Sequence, residues 1–181
     1  MIAIRTDRLI LRRFRPDDAA DLFAYLHRPR ARCFLSSRLD TPADAEAEAE
    51  RRASDDEHVA VCLTACGRLI GDLFCLPEPP DTFSVGWNFN AAYGGAGYAH
   101  EAAAALFGHL FCERQARRLY AYVEEDNAAS HRLCATLGMR LEGLFREFVT
   151  FVDDDQGNPI LENTMQYAIL RREWAERSAR G

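Results

Sequence analysis

The chain has 181 residues, 48% of them apolar and 28% charged, a composition typical of a globular domain rather than a disordered chain. Its net charge of -6 argues against a nucleic-acid backbone or an anionic membrane surface as the main partner. No apolar stretch approaches the length of a membrane span, and residues 1–15 are interrupted by arginine and aspartate, unlike a signal peptide. We therefore expect a cytoplasmic protein.

The six cysteines form no C-x-x-C pair, and the five histidines lie at no matching spacing. A metal site is therefore not expected. Most of the cysteines lie inside apolar segments, where a small buried thiol is the simpler interpretation. Reduced thiols agree with a cytoplasmic location.

The first half of the chain predicts a strand, two helices and three further strands. Residues 6–14 alternate as a strand does, and Pro16 opens an amphipathic helix that ends at Pro29. A second helix at 43–54 is rich in Ala, Glu and Arg, so it is expected to be solvated near an edge. The three strands are predicted at 58–65, 68–76 and 83–89, the first two as a hairpin.

The second half begins with a glycine-rich turn at 90–97, followed by the strongest helical periodicity of the chain. Further on, the pattern indicates a strand at 118–123, a helix at 128–137, and strands at 139–152 and 163–170. The resulting order is β-α-α-β-β-β-α-β-α-β-β. It predicts one α/β (α+β) domain over residues 1–181, with a mixed central sheet and helices on both faces.

The turn at residues 94–99 is the clearest candidate for chemistry. Its glycines permit positive φ and remove Cβ atoms, while the helix that follows directs free N–H groups at one point. Together they predict a pyrophosphate cradle, although an ordinary glycine turn has the same composition. A Walker A loop is excluded because the chain has no lysine, and the glycine spacing does not fit a Rossmann fingerprint.

These motifs, in this order and spacing, resemble the GNAT superfamily of N-acetyltransferases, and within it the RimJ/RimL-like branch. The matching segments are 6–12, 85–87 with 95–102, 127–130 with 137–143, and 163–170. One departure concerns the cofactor motif, which usually begins with Gln or Arg where this chain has Gly94. The contribution of that side chain is absent here.

The resemblance implies acetyl-CoA-dependent transfer of an acetyl group to a primary amine, by direct attack in a ternary complex. It implies that strand 87–90 splays from strand 118–123, with the pantetheine arm of the cofactor in the gap. The cofactor-binding residues that it implies are Trp87, Phe89, Asn90, Gly94, Gly95, Ala96, Gly97, Tyr98, Ala99, Asn127 and Ser130.

One candidate catalytic residue follows from the same resemblance, and a second is offered by the sequence without matching a known catalytic position of the family. Ser130 is the candidate proton donor to the departing thiolate. The alternative is that Ser130 is an ordinary helix residue whose hydroxyl bonds to local backbone. Glu147, on the long strand, is the candidate base. The alternative is that Glu147 is a solvated carboxylate on this strand without a catalytic role. Glu101, His100 and Asp72 are the other residues considered for the base.

The acceptor is not fixed by the sequence. The branch favours the N-terminal α-amine of a protein, including a ribosomal protein, and also contains enzymes for small amines and antibiotics. A non-catalytic acyl-CoA-binding module and a dinucleotide-binding oxidoreductase are further alternatives. A monomer and a homodimer are both compatible with the sequence.

Overall fold

The computed structural model describes residues 3–29 and 31–179 and folds them into eight strands and five α-helices. The strands are β1 (Ile4–Arg5), β2 (Leu9–Arg12), β3 (His58–Leu63), β4 (Leu69–Glu78), β5 (Thr82–Phe89), β6 (Arg118–Glu124), β7 (Arg140–Asp153) and β8 (Pro159–Leu170). The helices are α1 (Ala19–Leu26), α2 (Pro42–Ala53), α3 (Tyr98–Cys112), α4 (Ala128–Thr136) and α5 (Arg171–Ser178).

All eight strands form one sheet in the order β1-β2-β3-β4-β5-β6-β8-β7. Neighbouring strands run antiparallel except β5 and β6, which are parallel because α3 crosses between them. The predicted fold class, a mixed central sheet with helices on both faces, is confirmed.

Two cores lie on opposite faces of the sheet, as alternate residues of β3 show. Val59 and Val61 pack into the core beneath α3 and α4, whereas Ala60 and Cys62 pack into the core beneath α1 and α2. The largest fully buried side chains of the α3 core are Leu9, Leu11, Ile70, Leu73, Leu106, Phe107, Leu110, Leu119 and Leu137. The sheet is therefore covered on both sides over most of its length.

The chain start and the chain end differ from the sequence prediction. Instead of one strand at 6–14, the chain turns between Thr6 and Leu9, where backbone bonds and the Thr6 hydroxyl close the turn. After β8, the helix α5 follows, which the sequence analysis missed. Trp174, which is partly buried, packs its ring against Phe107 and Phe111 of α3 and so holds this short polar helix against the core.

The expectation that the second helix is solvated holds for its outer face and fails for the face towards the sheet. Helix α2 packs against α1 through Ala45 and Ala49, whose small side chains allow the helices to approach closely. Arg52 is only 4% exposed, and its guanidinium lies 3.1 Å from Asp72 and 2.7 Å from Glu48. The buried face of α2 is thus made of alanine and one paired arginine, which hydrophobic periodicity does not detect.

Among the described residues, no helix has the length and apolar character needed to cross a membrane. The six cysteines are free thiols. Within the same residues, no group of three or more metal-ligating side chains comes together.

Candidate active site

The parallel strands β5 and β6 pair only at their beginnings. The register ends at Ser84 opposite Tyr120, whereas β5 stays paired with β4 as far as Phe89 and β6 with β8 as far as Glu124. The two strands therefore diverge towards their carboxyl ends, and their facing backbone groups are not paired with each other. The splay expected from the sequence is confirmed.

The glycine-rich turn lies at the end of the diverging strand β5. Gly95 and Gly97 have φ of +79° and +81°, and Gly97 is the N-cap of α3. The amides of residues 95–97 form no hydrogen bond with any described residue, and the first turn of a helix leaves further amides free. The turn from Gly94 to Gly97 is exposed. This exposed group of unpaired donors fits an anionic diphosphate.

The chain start fixes this turn from one side. Glu101, in the first turn of α3, accepts hydrogen bonds from the Thr6 hydroxyl at 2.5 Å and from the backbone and side chain of Arg8 at 3.0 and 2.6 Å. Burial opposes the charge of Glu101, but these bonds outweigh it and hold its pKa below the usual value. Glu101 is thus a structural anchor.

Arg8 contacts the glycine-rich turn, and sequence reasoning did not identify it as a site residue. Its guanidinium donates to the Ala96 carbonyl at 3.0 Å and lies 4.6 Å from the centre of the Tyr98 ring. The side chain is half-exposed, so a positive charge remains accessible beside the unpaired amides. The segment at 6–12 was recognised only as a family strand, and nothing local in it shows that it meets a turn some ninety residues later.

The start of α4 faces the splayed strand β5. Asn127 caps the helix, because its side-chain oxygen accepts from the Ser130 amide at 3.1 Å. Across the gap, Trp87 Nε1 donates to Ser130 Oγ at 3.0 Å. An indole N–H can only donate, so the Ser130 oxygen is the acceptor and its own proton stays available. The structure therefore brings together Trp87, Asn127 and Ser130.

Glu124, at the end of β6, links α4 to the other side of the sheet. Its buried carboxylate accepts from Asn127 Nδ2 at 2.9 Å and from the Cys33 amide at 2.9 Å. Burial works against the charge, yet the bonds from Asn127 and Cys33 keep the Glu124 pKa below its usual value. Cys33 belongs to the 3₁₀ helix Arg32–Ser37, so this helix is tied to the same site.

The other candidate bases lie in three different environments. Asp72 is buried, accepts from the Tyr25 hydroxyl at 2.7 Å and pairs with Arg52, which leaves it no free role. His100 is exposed beside the turn. Glu147 is exposed at a bulge of β7 with φ of +48°, and its carboxylate bonds to no described residue. Nothing in the structure brings Glu147 into contact with Ser130, and its catalytic role stays a prediction.

The remaining predicted cofactor residues surround the gap and the turn. Phe89 packs partly against the α3 core, and Asn90 caps a short 3₁₀ turn through the Ala92 amide. Asn88, between Trp87 and Phe89, was not predicted, and its side-chain nitrogen is buried without a partner in the described part of the chain.

Comparisons with known proteins agree with this geometry. The family model described as an acetyltransferase (GNAT) domain matches residues 8–140. This chain belongs to the GNAT acetyltransferase family. It is 31% identical to the uncharacterized N-acetyltransferase YnaD of Bacillus subtilis (strain 168), over 94% of this chain and 98% of that protein.

Solved structures show the same fold. The GNAT-family acetyltransferase from Bacillus anthracis superposes with a TM-score of 0.84 at 26% identity, covering 94% of this chain and 99% of that one. The ribosomal-protein-S5-alanine acetyltransferase from Vibrio fischeri superposes with a TM-score of 0.73 at 17% identity, covering 96% and 99%. The protein is thus a GNAT N-acetyltransferase, and the acceptor is a separate question.

Proposed function

We propose that this GNAT acetyltransferase moves an acetyl group from acetyl-CoA to a primary amine, by direct attack of the amine within a ternary complex. The observation that carries the proposal is the gap between β5 and β6, which opens beside the unpaired amides of residues 95–97. A narrow slot next to a cluster of anion-binding donors suits a ligand with a diphosphate at one end and a long arm at the other.

In this proposal, the cofactor-binding residues divide into two groups. The backbone amides of Gly94 to Ala99 hold the diphosphate, and the Arg8 guanidinium, which donates to the Ala96 carbonyl, adds a positive charge beside them. Trp87, Phe89, Asn90 and Asn127 border the arm. Acetyl-CoA, the donor used by the family, supplies the acyl group as an activated thioester.

Ser130 is the proposed proton donor. The Trp87 N–H fixes the oxygen of Ser130 and, by donating to it, stabilises negative charge on that oxygen when the proton leaves. The amine nitrogen forms a bond to the acyl carbon, the carbon–sulfur bond breaks, and the hydroxyl proton passes to the sulfur. Glu147 is proposed as the base that accepts the proton of the amine, directly or through water. Water then takes this proton from Glu147 and returns a proton to the Ser130 oxygen.

For the acceptor we propose the N-terminal α-amine of a protein, with ribosomal proteins among the candidates. This rests on the resemblance to the RimJ/RimL-like branch, and small amines or antibiotics are the alternative. The cytoplasm is the proposed location, because six free thiols are kept reduced there.

The experiment that tests the proposal measures transfer of labelled acetyl from acetyl-CoA to a panel of peptides and amines. Ser130→Ala should lower kcat about 100-fold, the low end of the range for acid–base catalysis, while acetyl-CoA still binds. Thr136→Ala is the matched control, because this hydroxyl lies on the same helix and donates only to the Leu133 carbonyl. Tight acetyl-CoA binding by the wild type without transfer to any acceptor would instead favour a non-catalytic binding module.

A further inference from the structure

Glu162, on β8, is a buried carboxylate whose hydrogen-bonding capacity is unused. The residue is 8% exposed, and neither carboxylate oxygen accepts a hydrogen bond from a described residue. Arg32 Nε lies 3.0 Å from Oε1 without the alignment of a hydrogen bond, and Oε2 likewise has no hydrogen-bond partner in the described part of the chain. Because buried polar groups in folded proteins are nearly always satisfied, such an oxygen calls for a ligand donor.

The strand register places Glu162 next to the proposed catalytic residues. Thr164 stands directly opposite Glu124 of β6 on one side and Phe145 of β7 on the other. Glu162 follows two residues away on β8, so its side chain shares the face of Glu124. Glu124 in turn bonds Asn127, the cap of the helix that carries Ser130. The Glu162 carboxylate and the start of α4 therefore belong to one continuous site.

An aromatic surface borders this carboxylate. Tyr122, Phe145 and Phe148 are 45%, 36% and 46% exposed, and their ring centres lie 4.9 to 6.0 Å apart. Tyr122 is two residues before Glu124 on the splayed part of β6, and Phe145 is opposite Thr164. Three exposed aromatic rings beside a buried acid complement a ligand that is cationic at one end and apolar at the other.

The molecule itself shows that this site takes a cation. Arg32, from the 3₁₀ helix, bridges Glu162 and Asp126 while its own side chain stays 44% exposed. Its Nε lies 3.0 Å from Oε1 of Glu162, yet neither oxygen of this carboxylate accepts a hydrogen bond from a described residue. The carboxylate thus keeps hydrogen-bonding capacity for a second positively charged donor.

We propose that Glu162 binds the ammonium group of the acceptor, and that the acceptor is a primary amine carried on an aromatic or bulky apolar group that packs on Tyr122, Phe145 and Phe148. This inference deepens the proposed function and rests on it for the identity of the site. Both a peptide whose first residue is aromatic and a small arylalkylamine have this chemistry.

The direction of the Glu162 pKa shift supports the assignment. Burial raises its pKa above the usual value, against the attraction of Arg32, while Asp126 and Glu124 face it and raise it further. An ammonium group at Oε2 would offset the cost of burying the negative charge of Glu162. Acceptor binding is therefore expected to lower the Glu162 pKa.

The test compares Glu162→Gln with the wild type, using phenethylamine as the acceptor. Ethanolamine, a primary amine without an aromatic group, is the control. The acceptor KM of Glu162→Gln should rise about tenfold, the size expected for loss of one charge-assisted hydrogen bond, with the acetyl-CoA KM unchanged. Glu176→Gln makes the same charge change at an exposed position of α5 and should leave both constants unchanged. An unchanged acceptor KM in a folded Glu162→Gln variant overturns the proposal.

A second arm separates this inference from the proposed function and distinguishes the two acceptor sources. Calorimetry of phenethylamine binding in the presence of CoA should show about tenfold weaker binding to Glu162→Gln, whether or not turnover occurs. Binding without turnover would overturn the proposed catalysis and keep the inference, whereas equal binding to both proteins overturns the inference.

Peptides beginning with Phe should be preferred over those beginning with Ser, and Phe145→Ala should abolish this preference. Equal use of both peptides and of both amines would contradict the aromatic contact.

Discussion

At the scale of single residues, the glycine-rich turn depends on backbone conformation more than on side chains. Gly97 adopts φ of +81° and is also the N-cap of α3, so one residue sets the direction of the helix and of its free amides. A Cβ at this position would meet only the Arg8 guanidinium, at an ordinary distance of 3.6 Å. The constraint on Gly97 is therefore conformational rather than steric.

Gly97→Ala is predicted to weaken cofactor binding. A left-handed alanine costs about 1 kcal/mol or more, and relaxation of the turn would misdirect the amides. We expect the acetyl-CoA KM to rise about fivefold, the equivalent of ~1 kcal/mol. Gly108→Ala is the matched control in the interior of the same helix, where a Cβ meets nothing within 4 Å.

Gly108→Ala should keep the acetyl-CoA KM and stabilise the protein by roughly 0.5–1 kcal/mol through helix propensity. Equal KM values for both variants, measured by steady-state kinetics, would show that the Gly97 conformation does not matter for the cofactor.

At the scale of elements, α2 shows how a polar helix becomes part of the core. Its alanines let α1 approach, and its one buried charge is neutralised by Asp72 of β4 and Glu48 one turn earlier. The Phe14 ring, 5.2 Å below the Arg52 guanidinium, adds a cation–π contact. The helix is thus fixed to the sheet by a buried ion pair rather than by a wide apolar stripe.

Arg52→Met is predicted to destabilise the fold by about 3 kcal/mol, because it leaves the buried Asp72 carboxylate without its counter-ion. For a chain of this length, that loss corresponds to a Tm decrease of roughly 6–12 °C. Arg51→Met is the control on the adjacent, exposed position and should cost no more than ~1 kcal/mol. Equal melting temperatures for the two variants, by circular dichroism, would contradict a structural role for the Arg52–Asp72 pair.

At the scale of the whole molecule, carboxylates join segments that are distant in the chain. Glu101 holds the chain start against α3, Glu124 holds the 3₁₀ helix against β6, and Glu142 pairs with Arg118 across the sheet. Hydrogen bonds from their partners lower the pKa of all three, in the case of Glu142 chiefly the bond from Arg118. The fold is therefore stabilised by groups that must stay ionised.

The pH dependence of stability follows from these shifts. The unfolded chain binds the protons near pH 4.5, the ordinary glutamate value, whereas the folded chain binds them at lower pH. Their stabilisation is thus complete above about pH 5.5 and is lost as the pH falls through the folded pKa values. We expect the free energy of unfolding by urea to decline steeply from pH 5 towards pH 3. A constant value over that range would contradict the role of these carboxylates.

Local pattern predicted the parts of the site that depend on local backbone. The glycine turn and the helix after it were placed from local pattern, because each is specified within about ten residues. The splay of strand 87–90 and the place of Asn127 in the site came from the family resemblance. Arg8 and Glu162 were not found. Arg8 acts through Ala96 and Tyr98, and Glu162 is distinguished by burial and missing partners, which no sequence pattern encodes.

The sequence by itself determined the order of the main elements and the position of the glycine-rich turn, since periodicity, glycine placement and capping residues act over short distances. The order of its motifs indicated the family. Only the tertiary structure decided which charges are buried, which are paired and which are left free. Arg52 is neutralised by Asp72 from another element, whereas neither carboxylate oxygen of Glu162 has a hydrogen-bond partner in the described part of the chain. The free energy of a charge depends on its solvent exposure and on neighbours brought together by folding, and neither is written in the local sequence.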